Sequence, residues 1–361
     1  MTSINRCNFR DYKYIILQCS KEQNTCGGLG DRLKSLPFFV VNAATYKRIF
    51  LIRWGRPTKL EEFLLPNEVH WSVPDWMYEE LNNFSNRTEN TYSNSGKSLS
   101  RSLRYNPDKL VISGNMQDYF GGSSDYLIKD AKLVGGKVPE VDPGYFTGLG
   151  WKKYNLIFHD LFYTLFKIAP PVAKLVEEKM QSANLIPGNY SSSHYRAFYG
   201  TESKKGTITE EHLAKKTRNA LNCASSIQPG DPIFFASDSL SAVNFAREMM
   251  TNETETNTNA TSNTTTLNRK NIVVFDEGKE AVHLDKSDQW VSGNISDFYA
   301  TFVDLLIMSN AKCMALGEGG YGEFANMLST DSHCKIHHDH QRRKKWQECE
   351  WTDLKVNATA E

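Results

Sequence analysis

Tyr14-Ile15-Ile16-Leu17, Gln18-Cys19-Ser20, Cys26-Gly27-Gly28-Leu29-Gly30-Asp31-Arg32 and an apolar segment ending near Tyr46 decide the fold of this chain. In that order they read as strand, glycine turn and helix. Three glycines in four positions, Gly27, Gly28 and Gly30, let backbone amides approach whatever lies ahead of the strand, because no Cβ blocks the way and positive φ costs little. A turn of this kind at a helix start can hold an anion or a sugar hydroxyl, and it equally serves as a plain tight connection. Pro37, inside the helical pattern, predicts a kink or a delayed start. Arg48-Ile49-Phe50-Leu51-Ile52-Arg53-Trp54 then reads as a second buried strand, so the unit closes as a right-handed parallel crossover and opens an α/β domain.

The chain has 361 residues, 40% apolar and 23% charged, which is ordinary for a folded protein and long enough for two cores of normal domain size. Lys plus Arg and Asp plus Glu are both 42, so no global field points to nucleic acid or an anionic membrane surface, and any anion site must be local. No run reaches the roughly 18 to 20 apolar residues of a spanning helix, and Met1 to Arg10 lacks the apolar core of a signal peptide. Eight Asn-x-Ser/Thr acceptors occur, at Asn83, Asn86, Asn189, Asn252, Asn259, Asn263, Asn294 and Asn357. Seven cysteines allow up to three disulfides, with no Cys-x-x-Cys pair. Together these features suggest the secretory pathway, with the anchor or signal missing from this chain or removed from it.

Glu61 to Ser102 reads as irregular, ending in an Asn/Ser-rich surface loop. Lys109 to Gly114 is the next strand candidate, and Tyr154 to Phe166 and Pro171 to Ala183 are helices, with a domain boundary at about residue 165. The second half alternates: strands at Tyr190 to Ala197, Asp231 to Ser237, Asn271 to Phe275 and Ala311 to Leu316, and helices at Thr209 to Ile227, Leu240 to Met250, Ser296 to Met308 and Tyr321 to Leu328. This rhythm predicts a doubly wound parallel sheet. Residues 251–268 form a Thr/Asn-rich insertion expected to be disordered, and a basic tail follows residue 341.

Ligands of open α/β sheets bind beyond the carboxyl ends of the strands, which singles out three places. In Ser193-His194-Tyr195-Arg196-Ala197, a guanidinium at a strand end can hold a phosphate through two charge-assisted hydrogen bonds, with His194 pointing to the same side. A surface arginine beside a structural histidine fits the same letters. Phe234-Phe235-Ala236-Ser237-Asp238-Ser239 ends a buried strand in an acid that can accept from a guanine, while Ser237, Asp238 or Ser239 can equally cap the next helix. Leu316-Gly317-Glu318-Gly319-Gly320-Tyr321-Gly322-Glu323 is again strand, glycine loop and helix, whose first amides suit a diphosphate. No Gly-Lys-Ser/Thr follows, so it is not a Walker loop, and it is read as lacking the Rossmann dinucleotide spacing. His333, Cys334, His337, His338 and His340 raise a metal site, opposed by Arg342, Arg343, Lys344 and Lys345 and by the absence of tetrahedral-site spacing; a solvated tail with Cys334 bridged to Cys349 is the favoured alternative.

In this order, the residues resemble the fucosyltransferase superfamily of α1,2-, α1,6- and protein O-fucosyltransferases. Gly27 to Arg32 looks like its N-terminal glycine loop, His194-Tyr195-Arg196 like its His-x-Arg motif, Phe235 to Asp238 like its strand ending in Asp, and Asp304-Leu305-Leu306 through Ala325 like its final motif. The resemblance implies a GT-B architecture of two facing Rossmann-like domains with parallel sheets: residues 1–165 on the acceptor side and 166–361 binding the nucleotide sugar. It further implies transfer of fucose from GDP-fucose to a glycan or protein hydroxyl, with inversion, no cofactor and no obligatory metal. The chain departs from the pattern at Ala197, where many members have a second basic residue, and at Gly319-Gly320, where they carry hydroxyls.

On that resemblance Arg196 holds the β-phosphate, amides of Gly320, Tyr321 and Gly322 support it, His194, Asp238 and Ser239 fix the nucleoside part, and Gly28 and Gly30 allow close approach of the sugar. Asp31 is the favoured base for the acceptor hydroxyl, with Glu318 and Glu323 behind it. Ala197 and Gly319-Gly320 also suit a catalytically silent binder of a nucleotide or glycan, and a transferase of another nucleotide sugar is the third possibility.

Overall fold

A run of six residues buried at every position is what a central parallel strand requires, and β1 (Tyr14–Cys19) has it. β1 belongs to the first of two compact units, residues 1–169 with 283–295; the second comprises 170–282 with 296–361. The structure, a computed structural model, describes residues 9–19, 26–82, 87–90, 110–113, 150–198, 208–251, 271–275, 278, 281–284, 294–338 and 350–351. The 252–268 part of the expected insertion, the basic tail and Cys349 lie outside them.

In the first unit β1 lies between β2 (Ile49–Trp54) and β5 (Leu110–Ser113), with β4 (Arg87–Asn90) beyond β5, and the pairings within this four-stranded sheet are parallel. The connection from β1 to β2 carries two helices, α1 (Leu29–Leu33) and α2 (Leu36–Thr45), instead of one. Pro37 accounts for the break: it sits in the first turn of α2, where its missing N–H has no intrahelical partner to lose. A disulfide, Cys19–Cys26, links the end of β1 to the start of the glycine turn.

The region from Glu61 was expected to be irregular and instead holds β3 (Leu64–Pro66), α3 (Asp75–Asn82) and β4. α3 exists because Met77 is buried in a cluster with Phe9, Tyr14, Ile16, Leu51 and Val73. β3 pairs antiparallel with β6 (Phe166–Ile168), so Phe166 leaves the preceding helix α4 (Gly150–Leu165) and joins a strand. Such a distant partner leaves no local signal. The junction is fixed by Trp71, fully buried, whose indole donates to the Leu165 carbonyl at 2.7 Å and whose ring meets Phe166 edge-on at 5.1 Å. Hence the unit boundary falls between Ala169 and Pro170, four residues past the expected place, and 283–295 returns to the first unit.

The second unit carries β7 (Ser191–Tyr195), β8 (Ile233–Ser237), β9 (Ile272–Val273), β10 (Cys313–Leu316), β11 (Lys335–His337) and β12 (Glu350–Trp351). Their order is β12-β11-β10-β7-β8-β9, parallel except for β12, an antiparallel edge strand missing from the sequence reading. The helices are α5 (Pro170–Ser182), α6 (Glu210–Ile227), α7 (Leu240–Thr251), α8 (Tyr299–Ser309) and α9 (Gly320–Leu328). Thr209 caps α6 by accepting from the His212 N–H at 3.2 Å. Ala220, Leu221 and Ala224 of α6 bury one sheet face with Tyr195, Phe235, Ala315 and Ile336. Cys334 is bridged to Cys313 rather than to Cys349: the two residues lie beside the paired β10 and β11 with Cα atoms 4.7 Å apart, within disulfide reach. Cys223 is disulfide-bonded as well.

Among the described residues Arg32 is the most deeply buried arginine, 1% exposed. Its guanidinium donates to the carbonyls of Gly27 (2.9 Å), Arg56 and Leu284 (2.7 Å), and it lies 4.9 Å over the Trp54 ring. One fork thereby ties the glycine turn, the loop after β2 and the returning segment. Lysine cannot reproduce a planar set of donors. Arg32→Lys is expected to cost about 2 kcal/mol or more in denaturant unfolding, since buried carbonyls lose their donors; a loss below about 0.5 kcal/mol, the range of ordinary surface changes, would contradict this role.

Candidate functional site

From β7 the chain steps outward through β8 and β9, then returns to the other flank of β7 as β10 and continues to β11. The strand order reverses between β7 and β10, which makes their carboxyl ends the topological switch point at which open α/β sheets bind ligands. His194, Tyr195 and Arg196 stand at the end of β7, and Gly317 to Gly322 at the end of β10.

These two segments pack directly on each other. His194 is buried, and its carbonyl accepts from the Gly317 N–H at 3.0 Å. A Cβ on Gly317 would lie 2.9 Å from that carbonyl oxygen, one on Gly319 3.0 Å from Cδ of Arg196, and one on Gly322 3.0 Å from Nδ1 of His194. Gly319 also has φ +94 and ψ 164, a conformation essentially confined to glycine. Gly317, Gly319 and Gly322 are spaced as G-x-G-x-x-G after a strand and at a helix start, which corrects the reading above that the loop lacks this spacing. Their free space is filled from within by His194 and Arg196, so the spacing here serves internal packing. It also accounts for the absent hydroxyl at Gly319, where a side chain would displace Arg196.

Arg196 has a side chain 18% exposed, with Nε 3.9 Å from Oδ2 of Asp238. Asp238, buried, accepts from the N–H of Ala197 at 2.6 Å through Oδ1 and of Phe198 at 3.4 Å through Oδ2. The acid expected to face a guanine is thus engaged in bracing the chain as it leaves β7 and in orienting Arg196. Ala197 is buried in the sheet core beside Leu213, where a second basic residue would have to be desolvated. Ser239, the other nucleoside candidate, caps α7 by accepting from the Ala242 N–H at 3.3 Å, and Ser237 accepts from the Ser239 N–H at 3.2 Å.

The first turn of α9, at Gly320, Tyr321 and Gly322, has no side-chain cap. Its amides and the positive end of the helix lie beside Arg196, a combination suited to a phosphate. The Tyr321 side chain is employed elsewhere: its hydroxyl donates to the Thr301 carbonyl, and its ring lies 5.2 Å from that of His194. Burial, then the Asp304 carboxylate, push its pKa well above the ordinary phenol value, so it stays protonated. Only its backbone N–H is offered to a ligand.

In the first unit the Gly28 N–H donates to Oδ2 of Asp31 at 3.1 Å, so the expected anion turn is closed by its own acid. Gly27 takes φ +70, whereas Gly30 lies within α1. A separate cavity of about 720 Å³ lies at the carboxyl end of β2, lined among others by Arg53, Lys59, Glu61, Asp75 and Tyr78. Among the described residues no three His, Cys, Asp or Glu side chains gather as metal ligands, and no helix is long and apolar enough to cross a membrane. His338, missed as a site residue, is buried behind Gly317.

No protein-family model matches the sequence, and no curated protein matches it. Solved structures do. A mutant of Arabidopsis thaliana FUT1 in complex with GDP is similar with a TM-score of 0.56 and 12% identity over 93% of this chain and 73% of that one. NodZ α-1,6-fucosyltransferase soaked with GDP-fucose gives 0.50 and 10% over 90% and 94%. Fucosyltransferase NodZ from Bradyrhizobium gives 0.50 and 11% over 91% and 95%. The fold is therefore of the class seen in fucosyltransferases, as the motif resemblance implied.

Two glycines of positive φ separate the backbone cost from the clash. Gly319→Ala is expected to lower stability by about 1–3 kcal/mol and to shift Arg196, whereas Gly188→Ala, at φ +77 with open space around the added carbon, disturbs no neighbour. Thermal unfolding and a crystal structure of each variant check this; an unmoved Arg196 in Gly319→Ala would refute the packing argument.

Proposed function

We propose that the second unit binds the diphosphate of a nucleotide sugar and that the protein is an inverting glycosyltransferase moving fucose from GDP-fucose to a glycan or protein hydroxyl. In this reading the two units are the Rossmann-like halves of a GT-B enzyme. The observation that carries it is the convergence of Arg196 and the uncapped first turn of α9 at the β7/β10 switch point. The likeness to structures holding GDP or soaked with GDP-fucose supports guanine as the base.

In the transfer, the acceptor oxygen forms a bond to the anomeric carbon as the bond to the β-phosphate oxygen breaks, and the acceptor proton passes to a base. Negative charge grows on the departing diphosphate. Arg196 and the amides of Gly320 to Gly322 stabilise that charge more than they stabilise the bound donor, which is what accelerates the reaction. Asp238 and Gly319 hold the guanidinium in place, so less reorganisation is left to the reacting state. No metal is assigned a part. Asp31 is the candidate base; holding the Gly28 N–H leaves a carboxylate further acceptor capacity. The cavity at the end of β2 is the candidate acceptor subsite in the first unit. The disulfides Cys19–Cys26 and Cys313–Cys334, with exposed acceptor residues Asn189 and Asn294, support residence in the secretory pathway, in Golgi or ER lumen.

A second reading, a catalytically silent binder of a nucleotide or glycan, is favoured by one observation: Asp31 caps its own helix. Release of free GDP from GDP-fucose with candidate acceptors separates the two.

Thermal shifts with GDP, UDP and CMP test donor class, because a ligand that binds only the native state raises its stability. GDP is expected to give the largest shift, and Arg196→Ala to abolish it in calorimetry. Equal shifts with all three, or unchanged affinity in Arg196→Ala, would overturn the proposal.

A further inference from the structure

From Cys334 to His338 the histidine-rich stretch is built into the second unit, through a disulfide, strand β11 and a buried final imidazole, and is no solvated tail. His338 follows β11, is 1% exposed, and its Nε2 stands 2.8 Å from the carbonyl oxygen of His194. A carbonyl only accepts, so Nε2 carries the proton and donates. With the Gly317 N–H on the same oxygen, two donors fix the peptide that joins His194 to Tyr195, one residue before Arg196. The imidazole is held in turn. The backbone N–H of His338 donates to the Leu316 carbonyl at 3.0 Å, its backbone carbonyl accepts from Nδ2 of Asn219 at 2.7 Å, and the Tyr195 ring meets the imidazole edge-on at 6.4 Å. Gly317 makes room for it, since a Cβ there would lie 3.0 Å from Cε1 and 3.1 Å from Nε2.

We infer that His338 is a positioning residue for the anion site: by pinning the His194 carbonyl against the glycine loop, it sets the direction in which Arg196 leaves β7 and its spacing from the first turn of α9. This rests on the reading that Arg196 and those amides hold a diphosphate. His338 touches no ligand and acts through the peptide it holds. A purely structural histidine of the same burial would lower global stability and leave the folded site as tight as before.

The test compares His338→Leu, which fills the space without a donor, with His338→Gln, which returns a side-chain N–H near the place of Nε2. Hydrogen exchange of the full chain without ligand and GDP affinity by calorimetry are measured below the unfolding temperature of each variant. His338→Leu is expected to speed exchange in peptides covering 194–198 and 316–322, leave α5 at the wild-type rate, and weaken GDP at least tenfold. His338→Gln restores most of both. Wild-type exchange in those peptides, a uniform rise across the unit, or equal GDP loss in both variants would overturn the inference. Should His338→Leu not fold, His338→Asn, too short to reach the carbonyl, replaces it. If the wild-type protein binds no GDP, the donor reading falls, while the exchange comparison still decides whether His338 holds the loop.

Discussion

The second unit depends on how closely the loop after β10 can approach the end of β7. Three glycines let His194, Arg196 and His338 occupy volume that side chains would fill. The same approach lets the Gly317 N–H reach the His194 carbonyl and leaves the Arg196 guanidinium beside the first turn of α9. Charge complementarity follows from this packing, because a guanidinium and a helix N-terminus become useful together only when aimed at one place. Asp238 completes the arrangement from the β8 side by holding the backbone just past Arg196.

The first unit is tied together by a comparable device of different chemistry. Arg32 sends donors to three carbonyls from segments far apart in sequence, one of them in the returning stretch at Leu284. The glycine turn is thereby fixed from behind by Arg32 and Cys19–Cys26, and from in front by Asp31. A rigid turn with an acid at its mouth suits the presentation of a carboxylate better than the wrapping of a phosphate. On the proposed function, that physical difference divides the roles of the two glycine loops.

Much of this was legible in the sequence where a signal is local. Buried runs and glycine turns gave β1, β2, β7, β8 and β10, and the residues quoted for the family resemblance led to the fold class later seen in the structural likeness. What escaped is what depends on partners distant in the chain: the pairing of β3 with β6, the edge strand β12, and the bridge from Cys313 to Cys334. At the site, His194 and Arg196 were visible as a motif, but the work of Asp238 was not, because a strand-end acid reads alike whether it faces a ligand or two backbone amides. His338 was hidden among neighbouring histidines, and it alone is buried among the described ones, His333, His337 and His338. The spacing of Gly317, Gly319 and Gly322 was present in the letters, and its meaning came from the atoms that fill the space.

The account stands on where a bound diphosphate lies. A crystal structure of the protein with GDP tests this most directly. It is predicted to place the β-phosphate within hydrogen-bonding distance of the Arg196 guanidinium and of the amides at Gly320 to Gly322. A nucleotide seated with its phosphates at Gly27 to Gly30, leaving Arg196 untouched, would contradict it.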